Sequence, residues 1–522
     1  MVKYLDNNSG FKQWAAARDA NAPKRRGGWI WWFVIFMAIW WATTIFIGRN
    51  NEAAQTADTF VAEDASNVAT SEIASDKISA TVRGLRVSDV VLADYNVAPN
   101  DEARVQLLTT PGFAEVGLLA TGTSAPMANT QWRDTGDGMS WRAPDGTTYT
   151  RNVSADGYVV TITDTIKNNT SHDIAVAPYA RIVRENNMMS SAGVSTGAIA
   201  YANSDLDENT WRDLDKKSYA YSTTRGFAGF TDQYWETVAS IDSPDQTMRI
   251  KQGGTLDNTP IYQADIAAAA VQIAPNASAN ITTRLYVGPR DQDALNAASA
   301  HIAGLGDTID YGWFWFLARP MLWALNGLNA WVGNYGVAII ILTILLRLLM
   351  WPLTRKSYQS MAAMQKMQPE MTRIQKLYGN DKARMQMEML RLYQTHKTSP
   401  MSGCLPMLLQ IPIFFALYKA LLVSVPMRNA HFLWISDLSA MDPYFILPIL
   451  MGATMWLQQY WQTPKTKDTA QNDAIAATQR MMKWMPVIFT VMFAWMPAGL
   501  VLYWTVSNIF GIMQMYIIKH KK

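Results

Sequence analysis

Apolar residues are segregated along this chain: two strongly apolar blocks bracket a long stretch in which apolar and polar positions alternate. Residues 29–48 form a run of Trp, Ile, Phe, Ala and Thr, long enough to cross the roughly 30 Å hydrocarbon layer as a helix. The second block begins near Tyr311 and predicts five further helices, at about Tyr335–Leu353, Cys404–Val425, Tyr444–Trp461, Met481–Met496 and Gly499–Ile518. Six spans result. Between Ile78 and Val287 strand-like alternation recurs in pieces such as Tyr158–Ile166 and Ile281–Val287, separated by Gly, Asn, Asp and Pro turns, which predicts a β-sandwich. Asp291 to Leu305 has helical spacing and closes that domain. Trp235 with Phe227, Phe230 and Tyr234 reads as core rather than as a sugar platform.

The intervening segments have their own signatures. Residues 49–77 are Ala, Ser, Thr, Asp and Glu with few aromatics, a flexible linker. Trp313, Phe314, Trp315, Phe316, Trp323 and Trp331 crowd residues 311–332, as expected of a helix lying in the outer membrane interface. Residues 355–399 predict a helical hairpin broken at Gly379-Asn380-Asp381, with Met361, Met364, Met367 and Met371 on one stripe. Such a stripe is a packing face or an adaptable surface for hydrophobic segments. The chain thus divides into an N-terminal segment 1–28, an anchor 29–48, the linker, a β-sandwich domain 78–310, the interfacial helix 311–332 and a helical core 333–522 containing the hairpin.

Charge fixes the expected orientation. The net +3 of the 522 residues hides an asymmetry: residues 50–310 hold 33 acidic and 18 basic residues, the remainder 9 and 27. Lys24, Arg25 and Arg26 precede the first span, and that span meets Arg49 without a small-residue cleavage site, so it reads as a retained anchor. Nine basic residues against three acidic ones lie between Arg355 and Pro400, and Lys465, Lys467, Arg480, Lys483 and Lys519–Lys522 follow. These loops and both termini belong in the cytoplasm, and the acidic domain outside. The basic loops face anionic lipids or acidic partners, and nucleic acid is not implied. The single cysteine, Cys404, excludes an intramolecular disulfide and reads as a packing residue.

The candidate chemistry is sparse. There is no phosphate-binding G-x-x-x-x-G-K-[ST] loop and no H-E-x-x-H pair, and Gly193-Val-Ser195-Thr-Gly197 lacks the strand-turn-helix setting of a nucleophile elbow. No carboxylate falls inside any predicted span, which disfavours a proton-coupled pump. Arg347 stands out inside an otherwise apolar run. Either it lines a polar cavity, or it snorkels to the inner headgroups past Trp351 and Pro352. If Thr343 and Gln410 share its cavity, the result is a wet, positively charged pocket. Gln410 and the Ser507-Asn508 pair otherwise read as helix-to-helix ties, and Lys419 as snorkelling outward.

Asp310-Tyr-Gly-Trp313, Val332-Gly-Asn-Tyr-Gly336, Arg347 with Pro352-Leu-Thr354, Gly403-Cys-Leu-Pro406, Gln410-Ile-Pro-Ile-Phe414, Asp442-Pro443, Leu447–Gly452, Met485–Thr490 and Gly499–Tyr503 occur in that order. Through them the chain resembles the YidC/Oxa/Alb family of membrane protein insertases, and its layout resembles the Gram-negative form. The resemblance implies six transmembrane helices, five of them around a hydrophilic groove open to the cytoplasm and lipid, with a periplasmic β-supersandwich and a cytoplasmic helical hairpin. It places Arg347, Thr343 and Gln410 in the groove, and Ile411, Pro412, Tyr503 and Trp504 against a passing substrate helix. Trp504 stands where bacterial relatives carry Tyr, which keeps the ring and loses the hydroxyl.

The same resemblance implies an insertase and folding chaperone of the bacterial inner membrane without ATP hydrolysis, covalent catalysis, metal or cofactor. Its implied partners are nascent membrane proteins, the Sec translocon, the ribosome and signal-recognition targeting factors, and membrane lipids. Two other readings stand beside autonomous insertion: a channel or lipid transporter using the same groove, and an assembly factor working only with the Sec translocon.

Overall fold

The computed structural model describes residue 68 and residues 70–520, apart from 100, 137, 187–195, 380, 397–404 and 463–472. The expected anchor 29–48, the segment 1–28, most of the linker, Cys404, Lys465, Lys467 and residues 193–195 of the G-x-S-x-G string lie outside the described residues.

Alternation of apolar residues builds two antiparallel sheets, of ten and nine strands. In strand Ile174–Glu185 the residues Ile174, Val176, Ala180 and Ile182 are buried while Ala175, Ala177, Tyr179 and Arg181 are partly exposed, the period of two that a half-buried strand requires. That strand lies between Phe113–Thr121 and Thr259–Ala268 in the first sheet. In the second, Thr148–Asp156 turns through Gly157, at φ +54°, into Val159–Lys167, which pairs with Ser278–Pro289. The inner faces meet in one core that joins Val87, Ile182, Ile250 and Ile266 of the first sheet to Ile162, Phe230, Ala239 and Leu285 of the second. Phe227, Phe230 and Trp235 are buried, as a core reading of that aromatic cluster expects.

The linker is shorter than its composition suggests. Thr70–Ala74, inside the expected tether 49–77, is a strand paired with Ile78–Arg83. It is an edge strand exposed at all but one position, so no apolar face marks it in the sequence.

Besides the single-turn helix Trp211–Leu214, nine longer α-helices of the described residues complete the fold. Helix α1, Gln292–Ala298, is capped by the Asp291 carboxylate, which accepts from the backbone N–H groups of Asp293 and Ala294. The others are α2 Trp315–Val332, α3 Tyr335–Leu349, α4 Trp351–Tyr378, α5 Lys382–Thr395, α6 Leu405–Val423, α7 Ile446–Gln462, α8 Asp473–Phe493 and α9 Ala498–His520. Gly333, at φ +70°, ends α2, and the Asn334 side chain accepts from Val337 N at 3.1 Å to start α3. Between α3 and α4 only Met350 intervenes, and the axis turns by 61°. Pro352 sits in the first turn of α4, where its missing N–H costs least.

Among the described residues, Ala498–Ile518 is long and apolar enough to cross a membrane by itself, and the bent pair Tyr335–Leu349 with Trp351–Met364 passes together. Leu408–Val423 and Lys483–Phe493 are shorter apolar helices. Helix α9 packs on α7 and α3 and touches α4 and α6. The bundle core and the β-domain are continuous, because one apolar cluster runs from Tyr286 and Leu295 through Tyr311 and Leu325 to Phe414, Phe493 and Leu500.

Polar contacts join the two parts as well. Arg428, in the loop after α6, donates to Asn96 O at 2.6 Å and Val97 O at 2.5 Å, and lies 5.5 Å from the Trp235 ring centre. Gln233 Nε2 donates to Leu422 O at 3.2 Å. Lys419, expected to snorkel outward, pairs with Asp310 at 2.6 Å. Burial works against the Asp310 carboxylate, but the hydrogen bond and charge of Lys419 hold its pKa below the ordinary value.

Candidate functional site

The apolar bundle contains a connected set of polar side chains centred on Arg347. It extends from the last turn of α3 toward α9, where Nε donates to Ser507 Oγ at 2.8 Å and Nη2 donates to the same oxygen. Ser507 is 2% exposed. One turn earlier on α9, the buried Tyr503 hydroxyl accepts from Gln410 Nε2 of α6 and lies within hydrogen-bond reach of Ser507. Further along α9, Gln514 Nε2 donates to the Arg347 backbone carbonyl at 3.4 Å. Tyr503, Ser507 and Gln514 are spaced by four and seven residues, which sets them on one helix face.

Depth follows from helix geometry. At roughly 1.5 Å per residue, Ser507 lies about 14 Å from Ala498 and about 20 Å from His520 along α9. The guanidinium of Arg347, itself in the last turn of α3, therefore meets α9 short of either end of that helix. Among the described residues Arg347 has no carboxylate partner, and Nη1 has no protein acceptor. The Gln514 Oε1 is buried without a donor. A buried polar group left unpaired costs about 1–3 kcal/mol.

The other sequence candidates separate. Thr343 is buried one turn before Arg347, and its hydroxyl donates to Ile339 O at 2.6 Å, so its proton is used within its own helix. Ile411 and Pro412 are half-buried on α6. Trp504 turns away from Tyr503: its ring packs among Phe414 and Phe493, both at 5.2 Å, and Phe489 at 6.0 Å. On α4, Met367 is buried while Met364 and Met371 are half-buried, and the Met361 side chain lies outside the described residues. Ser507 ties α9 to α3 and Asn508 ties α9 to α7, as expected of helix-to-helix ties, while the sequence reading does not single out Gln514. The signal was present in the spacing from Tyr503 to Gln514, whose face matches that of an arginine on a neighbouring helix.

Two family models match the chain: one described as 60Kd inner membrane protein over residues 327–522, the other as YidC periplasmic domain over residues 70–324. The chain is 38% identical over 430 residues to the membrane protein insertase YidC of Magnetococcus marinus, covering 78% of this chain and 75% of that protein. It is 35% identical over 494 residues to the YidC insertase of Actinobacillus pleuropneumoniae serotype 7, covering 89% and 88%. A solved structure of an active YidC insertase, with its first transmembrane domain resolved, aligns at 17% identity and a TM-score of 0.38, covering 94% of this chain and 98% of that one. With both halves matched and relatives this similar over most of their length, the chain belongs to the YidC family of membrane protein insertases.

Proposed function

We propose that this insertase of the bacterial inner membrane takes hydrophobic segments of nascent membrane proteins from the cytoplasm into a hydrophilic groove and releases them into lipid. The observation that carries the reading is the position of Arg347, anchored to Ser507 deep in the bundle with donor capacity unused. A short translocated tail bearing Asp or Glu enters the groove, and its carboxylate meets the guanidinium there, which shortens its path through hydrocarbon. Partition of the following apolar span into lipid then supplies about 25 cal/mol per Å². The membrane potential adds about 2.3 kcal/mol per 100 mV for each negative charge moving outward. The step draws on no nucleotide.

In this reading α3, α6, α7, α8 and α9 form the five-helix core, residues 29–48 the sixth span, and both termini are cytoplasmic. Residues 78–310 with the strand at Thr70–Ala74 are periplasmic. Helix α2 lies in the outer interface, supported by Trp313 at 93% exposed and by exposed Trp315, Phe316, Trp323 and Trp331. The hairpin of α4 and α5 faces the cytoplasm and receives substrate, the ribosome or signal-recognition factors. Ile411 and Pro412 line the exit toward lipid, and the Sec translocon is a second partner for larger clients.

Autonomous function is tested in proteoliposomes containing only this chain, with a single-span substrate and no ATP. Protease-protected insertion above that of empty liposomes is expected. Insertion that appears only after the Sec translocon is added would replace autonomous insertion with the assembly role.

A further inference from the structure

From this geometry we infer that Ser507 is the positioning residue that sets Arg347 for acidic tails. The inference rests on the proposed role of Arg347 in the groove and deepens it. Arg347 stands at the inner end of α3, two residues before its last residue, Leu349. A flexible arginine there has two resting places: the inner headgroups, within reach of its long stem, or the interior of the bundle. The interior carries no charge to hold it, because no described carboxylate pairs with it. What holds it is one hydroxyl oxygen, Ser507 Oγ, which accepts from both Nε and Nη2.

Two N–H groups on one edge of the fork are thereby committed, while Nη1 keeps its donors. A guanidinium fixed along one edge presents the other to a planar carboxylate in a set orientation. Ser507 is itself held: it is buried on α9 beside the Tyr503 hydroxyl, which Gln410 engages from α6. Gln410, Tyr503, Ser507 and Arg347 form one chain of contacts across three helices. Loss of the serine hydroxyl removes the only anchor described for the guanidinium, and the side chain relaxes toward the headgroups. Ser507 therefore sets selectivity for negatively charged tails and touches no substrate itself.

The test uses proteoliposomes of the full chain and a matched pair of single-span substrates whose translocated tails differ only in Asp against Asn. Ser507→Ala is expected to lower insertion of the acidic-tail substrate about tenfold, the equivalent of one charge-assisted hydrogen bond. The uncharged tail should insert as in the parent, and Ser507→Thr should restore most of the loss. The double variant with Arg347→Ala should be no worse than Arg347→Ala alone, because both remove the same interaction.

Normal acidic-tail insertion in Ser507→Ala, with Arg347→Ala impaired, would overturn the serine's role and leave the arginine's intact. Equal loss on both tails, or loss that adds to that of Arg347→Ala, would make Ser507 a structural tie and overturn the inference. If Arg347→Ala inserts both tails like the parent, the groove reading fails and this one with it.

Discussion

Glu236 is a carboxylate in an adverse place: fully buried, with Arg290 Nε at 3.8 Å and neither carboxylate oxygen accepting a hydrogen bond from the protein. Burial raises its pKa from the ordinary 4.5 to about 7, although the Arg290 charge pulls the other way. Because the folded value is the higher, the folded state holds an extra proton between these limits, and stability falls as pH rises from about 4.5 to 7. The span is worth roughly 3 kcal/mol. Glu236→Gln should remove that slope, so that variant and parent melt alike near pH 4.5 while the variant melts higher at pH 8. Parallel melting curves across that range would contradict the assignment.

A second test at this scale concerns Gly336. A Cβ there would lie 2.1 Å from a Phe432 ring carbon. Gly336→Ala should cost about 1–3 kcal/mol through overpacking, read as a lower melting temperature, and Phe432→Leu in the same chain should recover part of it. A melting temperature unchanged by Gly336→Ala would show that the ring has room to move.

At the scale of elements, strands and helices were legible where one face is apolar and silent where no face is. Ile174–Glu185 declares itself by alternation, whereas Thr70–Ala74 is an exposed edge and reads as linker. The break at Gly333 was visible as turn chemistry, and Asp381 caps α5 by accepting from Arg384 N at 3.0 Å. Side-chain direction was not legible. Tyr503 and Trp504 are neighbours in sequence, yet one joins the polar set and the other the aromatic core, because adjacent helix residues point about 100° apart.

Direction also divides the methionine stripe, with Met367 buried and Met364 and Met371 half-buried. Met364→Gln with Met371→Gln should therefore slow insertion more than it lowers stability, as compared by initial insertion rate and melting temperature. Normal rates in that double variant would remove the stripe from substrate delivery.

At the scale of the molecule, the sequence made the two-part layout plain through its charge asymmetry and its apolar blocks. It could not reveal how the parts meet. Arg428 is a loop arginine with no motif around it, yet it joins the bundle to Asn96, Val97 and Trp235, contacts more than 300 residues apart in sequence for the two carbonyls. Arg428→Ala should free the strand end at Asn96 and Val97, seen as faster amide exchange there and in residues 424–443, with the sheets still protected. Unchanged exchange at both places would mean that the shared apolar cluster alone holds the parts together.

The central claim is that Arg347 works as a charge inside the bundle. Its most direct test is the rate at which Arg347→Ala and parent proteoliposomes insert a single-span substrate with an acidic translocated tail, with no ATP and no other protein present. A lost charge-assisted contact of about 1.5–3 kcal/mol predicts a fall of roughly ten- to a hundredfold. Equal rates in a folded variant would contradict the account and leave Arg347 a residue whose charge the insertion step does not use.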